Sequence, residues 1–244
     1  MAISKITSVI SIIAACAVAS QITTPSFANT SSVANTAVIP LKFKTLSERN
    51  DSQKYEINVD YPYLEGNDAA SQRFNTTAEK IATENVAAFK ESLSPPVADQ
   101  SSGLEVAYEV LRSDSEFISV RFGVSAYLAG MAHPSFASRV LNWDVRNGRP
   151  LLLDELFKPK SGYLRTVASF CTGLLRRQKK LDFPEGAVAK ELNYVTWSIN
   201  LNKGLLITYD PYQVGPWAAG RIECQVPLKN ISRILKEPKR WTAK

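Results

Sequence analysis

The sequence predicts an α+β fold of mostly antiparallel sheet with a few packed helices, arranged as two small subdomains. Three observations carry that prediction. The order of elements reads strand–helix–strand–strand and then hairpin–helix–hairpin–strand–helix, which favours neighbours that pair antiparallel. Asn147-Gly148 between two strand patterns is a strong two-residue hairpin signal. The chain has no internal repeat and, beyond its first residues, no second hydrophobic span.

The N-terminus reads as an export signal. Lys5 closes a short basic segment, and Ile6 to Ser20 carry no charge, a length suited to a signal peptide and too short for a secure membrane span. Ser26 and Ala28 place small residues for cleavage after Ala28. A second reading stands beside it: Ile13-Ala14-Ala15-Cys16 fits a lipoprotein box, with Cys16 lipidated. Either way the expectation is a periplasmic or secreted chain, or one lipid-anchored through Cys16, with no membrane span after processing. The expected organisation is signal peptide 1–28, flexible N-terminus 29–39, a first α+β subdomain 40–129, a second 130–236, and a basic tail 237–244.

Each element has a local reason. Tyr55, Ile57, Val59, Tyr61 and Tyr63 alternate onto one face, which predicts a strand over Lys54 to Leu64. Asn67 or Asp68 can cap a helix running to about Leu93, with Phe74, Ala78, Ile81, Phe89 and Leu93 at helical spacing; Pro95-Pro96 stops it. Leu104–Leu111 and Phe117–Leu128 predict an antiparallel pair, and Phe136–Val145 with Pro150–Leu153 another. A helix from about Ser161 to Lys180 carries Leu164, Val167, Cys171, Leu174 and Leu175 on one stripe; its basic end complements the helix dipole. Strands at Tyr194–Asn200, Leu205–Tyr209 and Arg221–Val226, then a helix over Leu228–Lys236, complete the series.

Between the last strands lies an unusual loop, Asp210 to Gly220. Ordinary loops of this length are polar or are held down by their own side chains. Here Pro211, Pro216, Gly215 and Gly220 fix the backbone, and Tyr209, Tyr212 and Trp217 supply large flat surfaces. These aromatics can stack on sugar rings or fill a partner's pocket, or they can turn inward as a satellite core. Together with His133 they are the candidate ligand-binding residues.

Gly204–Pro227 resembles a signature of the domain of unknown function found in the extracellular part of RsiV-type lysozyme-sensing anti-sigma factors and in front of some peptidoglycan deacetylase domains. Gly130 to Pro134, Leu141 to Val145, Asn147-Gly148 and Leu151 to Phe157 follow in that family's order, with Met131 where the family has a second glycine. The resemblance covers roughly residues 40–236. It implies association with the cell envelope.

Charge and chemistry narrow the function. Without residues 1–28 the net charge is +5, which favours anionic partners such as cell-wall polymers. Export argues against nucleic acid. His133 is the single histidine, so a histidine-based metal site and the two-histidine chemistry of the deacetylase domain both lack their ligands; no metal or cofactor is expected. In its turn before Pro134, His133 suits donation to a backbone carbonyl. Gly123-Val124-Ser125 lacks the closing glycine of a serine-hydrolase elbow. Asp144, Asp154, Glu155, Asp210 and Glu223 are carboxylate candidates for glycoside cleavage, but nothing local pairs them. Asp154 reads as a helix cap and Asp210 as a turn former.

Cys171 and Cys224 both point toward a core and either pair as a disulfide or remain buried thiols. The expectation is an exported, non-enzymatic binding domain, with a cell-wall polymer or envelope protein as partner. The alternatives are a lysozyme-binding or inhibitor-like protein and an uncharacterised periplasmic hydrolase. Only five residues precede the apolar segment, too few for a sensor's cytoplasmic part, and a cationic enzyme is repelled at +5 without a local acidic patch. The run of Lys229, Arg233, Lys236, Lys239, Arg240 and Lys244 against Glu237 predicts a solvated tail able to touch an anionic surface.

Overall fold

The computed structural model describes residues 38–96, 100–201 and 203–242. The cleavage site, Cys16 and nearly all of the expected flexible N-terminus lie outside the described residues. Six strands form one sheet in the order β1 (Lys42–Asn50), β2 (Tyr55–Tyr63), β3 (Ser102–Ser113), β4 (Phe117–Tyr127), β5 (Ser135–Asp144) and β6 (Arg149–Pro150). Every pairing in it is antiparallel except β2 with β3, which the helix α1 (Ala69–Glu91) connects. A parallel neighbour needs such a crossover, and α1 supplies it. Its N-cap is Asp68, whose carboxylate accepts from the amides of Ala70 and Ser71.

α1 covers one face of this sheet. Phe74, Ala78, Ala82 and Phe89 pack against Ile57, Val59, Leu104, Val120, Phe122 and Leu141, with Phe74 edge-on to Trp143 at 5.5 Å. β1 escapes the sequence pattern because almost none of it is buried: its residues KFKTLSERN lie on the sheet's edge.

The second sheet has three antiparallel strands, β7 (Trp197–Asn200), β8 (Gly204–Tyr209) and β9 (Ile222–Pro227). One face presents Ile199, Leu205, Ile207, Tyr209, Cys224 and Val226 to the helix α2 (Tyr163–Arg177), making a second apolar core. There Cys171 of α2 and Cys224 of β9 are joined as a disulfide, with Cα atoms 5.6 Å apart. α3 (Leu228–Ile231) is shorter than the expected helix, and Leu235 then bridges to Phe157.

The other face of the small sheet meets the uncovered face of the large one through polar groups. Asn142 donates its Nδ2 to the Trp197 carbonyl at 2.7 Å, and the Ile199 amide donates to Ser119 Oγ at 3.1 Å. Arg121, with a side chain 3% exposed, donates to Thr208 Oγ1 at 3.0 Å and pairs with Glu109 and Glu223 at 2.7 Å each. The boundary expected at 129/130 falls inside the large sheet, because β4 pairs with β5 across it; the change of sheet comes after β6.

The expectation of a solvated tail over 237–244 is corrected for Arg240 and Trp241. Trp241 is 2% exposed and belongs to the second core. Arg240 reaches Asp144 at 2.8 Å, Glu116 at 2.7 Å and Glu237 at 3.1 Å, with its guanidinium 4.3 Å from the Phe117 ring centre. Two of these acids, Asp144 and Glu116, sit far away in sequence, so the local charge pattern gave no sign of them.

Candidate functional site

Where the small sheet stops short, the polar face of β3–β5 stays open. The loop 210–221 stands over this part, leaving a cleft of about 450 Å³. Its floor follows from strand register. Ala107 of β3 pairs with Gly123 of β4, which pairs with Ser138 of β5, so three small residues lie side by side. Phe136 forms one wall, Pro211, Gly220 and Arg221 the other, and Glu105 and Asp210 bring carboxylates to it.

Gly123 is informative. A Cβ built there meets nothing within 4 Å, and its backbone lies outside the left-handed region. Glycine in a strand interior marks close approach by a ligand or another backbone, and costs roughly 0.5–1 kcal/mol against alanine. Here no backbone comes near, and the space above Gly123 is the cleft.

The loop is anchored on both sides. Asp210 Oδ2 accepts from the Ser138 amide at 2.9 Å, tying the loop to β5. Val214 is fully buried in the second core, and Gln213 donates to the carbonyls of Gly186 and Asn193. Gly186 is required there: a Cβ would lie 1.7 Å from the Gln213 carbonyl oxygen. At the tip, Tyr212 is 61% exposed and holds φ +70°, a left-handed conformation that is costly for an aromatic residue.

The four candidate ligand residues separate. His133 and Trp217 come together, their rings 4.3 Å apart and tilted by 31°. His133 Nδ1 lies 2.9 Å from the Pro134 carbonyl, which accepts, and Trp217 Nε1 donates to the same oxygen at 3.3 Å. Trp217 also flanks Phe136 at 6.1 Å, so this aromatic group borders the cleft. Tyr212 is exposed but does not line the cleft. Tyr209 is corrected: it is fully buried on β8 against Tyr194, 3.4 Å between hydroxyls, and cannot face a ligand. Burial, reinforced by Tyr194, pushes its phenol up from the ordinary value.

Most carboxylate candidates are committed elsewhere. Asp144 is bound by Arg240 and Asn147; burial alone would raise its carboxyl, but these donors outweigh it and hold it below the ordinary range. Glu223 pairs with Arg121 and Arg221. Glu155, not Asp154, makes the local cap, accepting from the Leu152 amide at 2.9 Å while pairing with Arg149. Among the described residues no group of three or more His, Cys, Asp or Glu could hold a metal ion, and no helix is long and apolar enough to cross a membrane. Sequence reasoning missed Glu105, Phe136, Ser138 and Arg221, which only the fold assembles; the lone glycine inside a strand pattern was the local signal.

Comparison with known proteins gives a family match over part of the chain. Residues 154–229 match DUF3298, a family described as of unknown function. The chain is 20% identical over 196 residues to the peptidoglycan-N-acetylmuramic acid deacetylase PdaC of Bacillus subtilis, covering 77% of this chain and 40% of that protein. It is 26% identical over 109 residues to the immunogenic protein MPB64 of Mycobacterium bovis, covering 44% of this chain and 47% of that one. The chain thus spans less than half the length of these relatives. In three dimensions it is similar to a DUF3298 family protein from Pseudomonas aeruginosa, at TM-score 0.59 and 16% identity over 84% of this chain and 98% of the other. A DUF3298 family member from Bacteroides fragilis gives TM-score 0.52 and 19% identity, over 82% and 95% of the two chains. Residues 154–229 thus match the model of DUF3298, a domain of unknown function, and the chain shares its fold with solved proteins of that family.

Proposed function

We propose that this chain is an exported, non-enzymatic module that binds at the cell envelope, with peptidoglycan or an envelope protein as ligand. The observation that supports this most is the cleft over Gly123. It is open, floored by small residues, walled by an aromatic ring 47% exposed, and edged by Glu105, which has no partner among the described residues. Pockets that combine apolar walls with a few polar groups are the usual form of a ligand site. The similarity to a deacetylase of peptidoglycan supports the choice of compartment and polymer. Asp144, Glu155 and Glu223 are committed to arginines, which leaves Glu105 and Asp210 as the carboxylates of the cleft.

Retention on purified peptidoglycan sacculi tests the reading. The chain should sediment with sacculi, and Phe136→Ala should sediment less. No retention at low salt would refute it, and release of soluble fragments on prolonged incubation would overturn the non-enzymatic part.

One observation favours the lysozyme-binding alternative. Glu56 and Asp60 of β2 lie on the face opposite the buried Ile57 and Val59, with Glu105 beside Asn58, so the open face gathers three acids against one arginine, Arg49, which stands across from Glu56. Such a patch removes the long-range objection to a cationic enzyme partner. Pull-down with lysozyme, alongside sacculi, separates the two readings.

A further inference from the structure

We propose that the cleft is a saccharide subsite, taking roughly one or two sugar rings, as its size at the low end of small-molecule sites allows. This rests on the envelope-binding reading and names the ligand class for the same site: the glycan, not the peptide, of the envelope polymer.

The geometry and the donor–acceptor inventory point the same way. The floor of Ala107, Gly123 and Ser138 is flat and side-chain-poor, and the space above Gly123 is clear to 4 Å. A flat ring can lie there where a branched side chain from the protein would otherwise stand. Phe136 is held from one side by Trp217 and is 47% exposed, so it offers a ring to the C–H face of a sugar.

Ionised, Glu105 and Asp210 accept hydrogen bonds and donate none. Asp210 spends Oδ2 on the Ser138 amide, which leaves Oδ1, and Glu105 has no partner among the described residues. A neutral ligand rich in hydroxyl donors satisfies both. Phosphate-bearing polymers meet two carboxylates and one arginine, Arg221, that Glu223 already holds at 3.2 Å. A purely apolar occupant would bury carboxylates without partners, which is costly.

The test is titration of the exported chain with the N-acetylglucosamine tetramer and, separately, with a free lysine-containing stem tetrapeptide. The variants are Gly123→Leu, Phe136→Ala and Glu105→Gln. The expected result is saturable binding of the glycan, weakened at least about tenfold by Gly123→Leu and by Phe136→Ala, and several-fold by Glu105→Gln. Gly123→Leu should not lower Tm; if it fails to fold, Phe136→Ala carries the same test at an exposed position. Binding of sacculi but not of the glycan would overturn the saccharide assignment and leave the envelope reading standing. So would stem-peptide binding that Phe136→Ala abolishes, or glycan binding that survives both variants. Failure of both sacculi and glycan to bind would sink the two readings together.

Discussion

Replacing Arg240 should be among the most damaging single changes in the molecule. The side chain is 9% exposed and neutralises Asp144, which is 4% exposed. In Arg240→Met the hydrophobic stem still covers Phe117, but Asp144 keeps only Asn147 as a side-chain donor. Removing one partner of a buried ion pair costs about 3–5 kcal/mol, because the other charge is stranded. For a chain of this size each kcal/mol moves Tm by about 2–4 °C, so a fall of about 6–20 °C is expected. Glu116 is less affected, since it is more exposed and Arg146 also pairs with it. Adding Asp144→Asn removes the stranded charge, and the double variant should recover at least about 2 kcal/mol of the loss. Thermal and urea unfolding by circular dichroism measure all three proteins. The pH dependence has a definite sign. The Asp144 carboxyl is held below its ordinary range in the fold. Its contribution is therefore present above the unfolded value of about 3.9 and is lost as pH falls through the folded one. The gap between wild type and Arg240→Met should accordingly narrow below about pH 4. A loss under about 1 kcal/mol at neutral pH, or a double variant no better than the single, would refute the reasoning.

Further outcomes follow from other parts of the fold. Reduction of Cys171–Cys224, 53 residues apart, should cost about 4 kcal/mol by the chain-entropy estimate, read as a lower urea midpoint in reductant. Gly123→Ala should be neutral or raise stability by about 0.5–1 kcal/mol, whereas Gly186→Ala, forced against the Gln213 carbonyl, should lose about 1–3 kcal/mol. Deleting residues 238–244 removes Trp241 from the second core, so it should lower Tm by well over 5 °C, about what 3 kcal/mol or more of lost aromatic burial implies; an unchanged Tm would show that the C-terminal segment is dispensable.

How much of this could be read in advance depends on whether the deciding interaction is local. α1 was legible because Asp68 caps it and Phe74, Ala78 and Phe89 repeat at helical spacing. The β3–β4 pair was legible from apolar pattern, and the β5–β6 turn from Asn147-Gly148, with Gly148 at φ +58°. β1 was not, because an edge strand exposed along most of its length needs no apolar alternation. Tyr209 adjoins the loop in sequence, but its spacing from Leu205 and Ile207 places it on the buried face of β8. Arg240 is the opposite case: Asp144 and Glu116, which decide its position, are about a hundred residues distant. The cleft draws on three strands and a loop; the loop residues Asp210, Pro211 and Gly220 and the lone Gly123 left a trace in the linear pattern, and Glu105, Phe136 and Ser138 did not.

The polar contact between the two sheets has a mechanical consequence. Apolar layers can slide, since dispersion and hydrophobic contact are nearly indifferent to a small shift. Layers keyed by Asn142 to Trp197, Ser119 to Ile199, and Arg121 to Thr208 and Glu223 cannot, because an ångström of travel would strand buried donors and acceptors together. The gap left beside that key inherits its stiffness. On the proposed saccharide reading, a guest entering over Gly123 would meet walls whose spacing was set when the chain folded, and discrimination would work like a gauge, by admitting or refusing a thickness, not like a hand that closes on what it holds.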